Sequence, residues 1–285
     1  MTGALVDSQL NPMGESAGVL GSLMTSATIE DFYAEINGST ATLAGLINGA
    51  DLTQGVPSCP DWTLRQLATH VGRAHRWAAE IVATRSAEFI PFRAVPNGRL
   101  PDDPIRHVGW LSEGAERLVA ALREAGTDPV WAFGRLRPAS FWARRMAHET
   151  AVHRADAEIA AGRAPVIDAG IAVDGIDEWL TLENQQSEDL LDGGQDSRLG
   201  ALADGELLHI HATDEGLGET GEWLVRSTGD RITVTRGHSK GDAAIRGPAS
   251  ALLLVLVRRL APDDAPVQII GDRAVLERWL AATPF

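Results

Sequence analysis

The chain has 285 residues, 44% of them hydrophobic and 22% charged, with a net charge of −14. That length can hold two domains, and the acidity argues against nucleic acid or an anionic membrane as the main partner. The single cysteine, Cys59, excludes an internal disulfide and fits a reducing cytoplasm. No run approaches the ~18 apolar residues of a membrane span, and no Lys or Arg precedes Arg65 to mark a secretory signal.

Residues 1 to about 27 are rich in Gly, Ser and Met and read as a mobile extension. Thr28, with Asp31 three residues on, caps a helix whose apolar stripe runs from Ile29 and Phe32 to Leu46 and Ile47. The turn Pro57-Ser-Cys-Pro-Asp61 feeds a second helix, about Thr63 to Thr84, with Leu67, His70, Val71, Ala74 and Ile81 facing inward. His75, five residues from His70, is expected at the surface. Arg85 to Pro101 is long and irregular, the pattern of a lid or rim. Asp102 or Asp103 before Pro104 starts a third helix that Gly126 ends. Thr127 to Pro138 reads as a further connection, and a fourth helix spans Phe141 to Gly162. Four helices with such connections predict an antiparallel bundle over 28–163.

The period changes after Arg163-Ala-Pro165. A helix over Ala169 to Gln186 is followed by strands at Glu206 to Ala212, Glu222 to Ser227, Arg231 to Thr235 and Ala243 to Arg246, with Gly229-Asp230 as a hairpin turn. A helix opened by Pro248, a strand at Val267 to Ile270 and a helix from Arg273 to Ala282 complete a second domain, 168–285. The fold class is thus α+β, with a mainly antiparallel sheet in the second domain. His209 and His211 share a strand face and are expected to look into solvent.

The chemistry concentrates in the fourth helix. At about 100° per residue, Trp142, Met146, Glu149, His153, Asp156 and Ala160 fall within roughly 40° of one direction. An unpaired carboxylate on such a stripe costs several kcal/mol or more, so it needs a partner or a metal. His148 and His153 lie about 140° apart around the helix, which excludes the zinc-protease pattern of histidines at i and i+4. Glu149 and His153 do share a face, and inward-facing His70 supplies a third donor. Two imidazoles and a carboxylate with one position open make a catalytic zinc set, with Asp156 placed to orient a ring. The spacing fits equally a buried polar network of the same residues. Arg144, Arg145 and Arg154 are expected to form solvated ion pairs, Trp62 to anchor the helices, and Cys59 to fill a turn.

The stretches VPSCPDWTLRQLATHVGRAHRWAAEIV, within 56–84, and RMAHETAVHRADAEIAAG, 145–162, resemble the mycothiol-dependent maleylpyruvate isomerase family. LLHIHATDEG, GEWLV and IRGPASALLLVLVRRL resemble its C-terminal domain. The resemblance implies a DinB-superfamily four-helix bundle followed by a sterol-carrier-like domain. It also implies a metal triad on His70, Glu149 and His153, and mycothiol as thiol cosubstrate with Zn²⁺ or another divalent ion. The function expected is a metal-dependent mycothiol S-transferase acting on a small electrophile. The alternatives are maleylpyruvate cis–trans isomerisation or a non-catalytic binding bundle. Arg246, at a strand end, is the expected catalytic cation from the second domain. The expected protein is cytoplasmic, a monomer or small homo-oligomer, and its near-exclusive use of Arg over Lys fits an actinobacterial genome.

Overall fold

The structure, a computed structural model, describes residues 27–189, 201–229 and 231–283, without the side chains of 182–189. The expected extension (apart from Ala27) and Asp230 of the expected hairpin turn lie outside these residues.

Each of the first helices begins where a side chain satisfies its free amide groups. Thr28 and Asp31 form a reciprocal capping box at α1 (Ile29–Ile47), and Thr63 with Gln66 does the same at α2 (Leu64–Ala83). Asp103 accepts from the Ile105 amide ahead of a 3₁₀ turn that leads into α3 (His107–Ala125). Gly126 and Gly162, both at positive φ, end α3 and α4 (Ser140–Ala160). α1 packs on α3 and α4, and α2 on the same two. The α2–α3 approach is close enough that a Cβ at Gly72 would collide with the Trp110 ring.

Two connections turn out to be hairpins. β1 (Gly55–Val56) pairs antiparallel with β2 (Cys59–Thr63), so the proline-rich turn is a short ribbon delivering Trp62 to the start of α2. β3 (Pro129–Ala132) pairs with β4 (Arg135–Pro138) across Phe133-Gly134, both at positive φ. A two-residue turn of that twist matches the flanking strands, but Phe is an uncommon occupant and gives no turn signal.

α5 (Ala169–Asp189) leads to a five-stranded sheet of order β7-β6-β5-β8-β9, with β5 Leu207–Ala212, β6 Glu222–Ser227, β7 Ile232–Arg236, β8 Ala243–Gly247 and β9 Gln268–Gly271. The sheet is mixed. β5 and β8 run parallel, Leu208 opposite Ala243 through Ala212 opposite Gly247, while the other pairs are antiparallel. Its inner face, with Leu208, Ile210, Val225 and Ile245, packs under α6 (Ala249–Leu256), α7 (Arg273–Ala282) and α5. One continuous buried cluster runs from Trp142 and Ile81 through Ile176 to Leu253 and Ile210, so helices and sheet share a core.

Candidate active site

α2 and α4 bring His70, Glu149 and His153 together. Glu149 Oε1 lies 2.8 Å from His70 Nε2 and 3.3 Å from His153 Nε2, and the three donor atoms fall within 4.8 Å of one another. Exposure grades from 29% at the His70 side chain to 4% at His153, so the set is open on one side only. Burial alone would push the His153 imidazolium down, but its bonds to Asp156 and Glu149 outweigh this and raise it to about 9. Burial likewise opposes ionisation of Glu149, yet hydrogen bonds from His153 and His70 hold it well below the usual carboxylate range.

Asp156 does what its place on the stripe implies. Its Oδ2 is 2.7 Å from His153 Nδ1, which turns Nε2 toward Glu149 and His70. Asp156 also accepts from Ser58 Oγ at 2.6 Å and pairs with Arg259 Nε at 2.9 Å. Arg259 follows α6, so the sheet-bearing half reaches the site through this contact. The Cys59 thiol lies 3.5 Å from Asp156, and burial together with that carboxylate pushes it up to about 11. Cys59, His153 and Asp156 form an overlapping donor set within 4.8 Å. It suits a metal less well, because His153 Nδ1 and Asp156 are spent on each other.

Several expected placements are extended or corrected. Trp62 packs against the helical core as expected and is also half-buried over the site, its ring stacked on His153 at 5.6 Å and tilted on His70 at 4.8 Å. His75 is fully buried and bonded to Thr150 Oγ1 at 2.8 Å, because α2 is covered on both flanks by α3 and α4; burial pushes it down to about 4. Arg145 is not solvated: it contacts Glu149 Oε2 at 3.1 Å and Glu178 Oε2 at 2.7 Å. Arg144 pairs with Asp174 and Arg154 with Glu158, both under cover of neighbouring elements. His209 is buried as well. Arg246 is exposed on β8 opposite His211. Among the described residues, Arg145, Arg259 and Arg73 bring cations to the site.

A cavity of about 490 Å³ opens from His70 and Glu149. Trp77, Phe89, Phe92, Trp131, Phe133 and Trp142 form its wall, with Arg73 and Arg145 beside the donors. Phe89 and Phe92 come from the connection expected to act as a rim, and Trp131 and Phe133 from the β3–β4 hairpin. Trp131 and Phe133, two apart, were the signal that this connection had a common face to offer.

The two imidazoles and carboxylate, ring-oriented by Asp156 and open toward a cavity, suit a divalent metal with a free position. Comparisons with known proteins agree in kind. The family model described as the mycothiol maleylpyruvate isomerase N-terminal domain matches residues 33–158, and the C-terminal domain model of the same family matches 170–278. The crystal structure of a mycothiol-dependent maleylpyruvate isomerase superimposes with a TM-score of 0.54 at 15% identity, covering 85% of this chain and 93% of the other. A histidine-to-alanine mutant of that isomerase gives 0.53 at the same identity and coverage. No curated protein matches the chain. Among the described residues no helix is long and apolar enough to cross a membrane. The chain belongs to the mycothiol-dependent maleylpyruvate isomerase family and is a thiol-dependent enzyme.

Proposed function

We propose that the protein is a mycothiol-dependent cis–trans isomerase of the maleylpyruvate class, with His70, Glu149 and His153 as ligands of a divalent metal, Zn²⁺ by the character of the donors. The observation that carries this reading is the convergence of the three donor atoms within 4.8 Å of one another, two of them, on His70 and Glu149, in the wall of the cavity. A metal held there supplies a Lewis acid that lowers the pKa of an incoming thiol enough to keep it as thiolate at neutral pH. The residues do the rest. Asp156 fixes the His153 ring, Arg145 holds the second oxygen of Glu149, and Arg73 and Arg145 offer cations to a substrate carboxylate. The thiolate adds to one alkene carbon, the resulting single bond rotates, and expulsion of the thiolate restores the double bond as trans. No atoms are gained or lost. The family match favours this over the S-transfer expected from sequence.

One observation supports transfer as a second reading. Six aromatic rings line the cavity, a surface suited to an apolar electrophile rather than to a small dianion. A turnover assay separates the two. With metal-loaded protein and mycothiol, the isomerase reading expects thiol-dependent conversion of maleylpyruvate with mycothiol unconsumed. Consumption of mycothiol with an aromatic electrophile, and no conversion of maleylpyruvate, would overturn it. We read 28–163, a DinB-like bundle, and 168–285 as the two domains, and the cytoplasm as the place where such a thiol is available. Arg246, exposed at the strand end beside His211, is the cation the second domain offers to a carboxylate or to the thiol.

A further inference from the structure

We propose that His209, His211, Glu222 and His238 form a second metal site, on the outer face of the sheet and separate from the triad. β5 places His209 and His211 two residues apart, on one face. Glu222 opens β6 in register with His211, and His238 stands just beyond the end of β7. Glu222 Oε2 lies 2.8 Å from His209 Nε2, 2.6 Å from His238 Nδ1 and 3.7 Å from His211 Nδ1. One donor atom from each of the four residues falls within 4.8 Å of the others.

A divalent cation at the centre of these donors would take a ring-nitrogen lone pair from each histidine and the carboxylate charge of Glu222. Bonds of about 2 Å need donors about 3.3 Å apart, which small side-chain rotations supply here. Three imidazoles and a carboxylate select a borderline ion such as Zn²⁺, Co²⁺ or Ni²⁺ over Ca²⁺ or Mg²⁺. Four protein donors close a tetrahedral shell, so this site is structural where the triad keeps a position free. It ties the connection between β7 and β8 to the central strand β5.

Titration of the metal-stripped full-length protein with Co²⁺, read by calorimetry and visible absorption, tests this. The wild type should bind two equivalents and His153→Ala one, with the spectrum of a four-coordinate nitrogen/oxygen site. The double variant His211→Ala/His238→Ala should bind one. Because the His238 side chain is 69% exposed, His238→Ala alone cannot disturb the core, and it should weaken the second equivalent at least ~10-fold. A double variant that binds as much metal as wild type would overturn the proposal. So would a wild type that binds only the equivalent lost in His153→Ala.

Discussion

His148 and His153 sit five residues apart on α4, and both are only 3% exposed. Around His148 both ring nitrogens meet carboxylates. Nδ1 is 2.7 Å from Glu178 and Nε2 is 3.0 Å from Asp174, and those acids are met in turn by Arg145 and Arg144. Burial opposes the charged ring, but the two carboxylates win and raise His148 above its ordinary value. His153 instead spends one nitrogen on Asp156 and turns the other toward Glu149, within reach of His70. The difference is one of partners: a histidine held between two carboxylates of a neighbouring helix ties helices together, and one whose second nitrogen joins a donor set open on one side can hold a ligand. Burial and helical spacing do not distinguish the two.

That contrast can be broken from either side. Replacing Glu178 by Ala leaves His148 and Arg145 without their shared carboxylate, which should cost about 3–5 kcal/mol in urea denaturation while metal at the triad is retained. Replacing His153 by Ala should do the converse, abolishing one equivalent of metal and lowering turnover more than ~100-fold with a much smaller loss of stability. Asp156→Asn keeps the ligands but loosens the ring and the Arg259 pair, so metal affinity should fall by about 10- to 100-fold. Elemental analysis after dialysis against a graded chelator reads both effects.

The smallest test is pH. Burial opposes the Glu178 carboxylate, but Arg145 and His148 depress it from 4.5 to about 2. Its contribution is therefore present above about pH 4.5 and lost as pH falls toward 2. His148 is raised from 6.5, so its contribution is complete below that pH and lost as pH rises beyond it. The network should stabilise most between about 4.5 and 6.5, and a Glu178→Gln protein should lose the acid-side slope. An unchanged slope would remove Glu178 from the account.

Much of the site was legible because it repeats along single helices. The 3.6 period alone put Glu149, His153 and Asp156 on one face, and an inward stripe found His70. The contacts that distinguish His148 from His153 were not legible, since Asp174 and Glu178 lie on α5 and only tertiary packing brings them to α4. The same holds for Arg259, held to Asp156 across the two halves of the chain, and for His75, buried because α2 is covered on two flanks. Arg246 drew attention as a strand-end cation, but β8 runs parallel beside β5 and places it on the outer face with His211. In the sheet, alternation read the strands correctly and could not foresee that one pair would be parallel. The hairpin behind the cavity wall was hidden by Phe133 in a left-handed conformation that usually belongs to Gly or Asn.

The central claim is that the position left open by His70, Glu149 and His153 accepts sulfur. Cobalt-substituted full-length protein mixed with mycothiol tests it directly, because sulfur bound to cobalt adds an intense charge-transfer band in the near ultraviolet. The account predicts that band in the wild type and in His211→Ala/His238→Ala, and its loss in His153→Ala. A band that survives in His153→Ala, or none in wild type with cobalt bound and mycothiol in excess, would contradict it.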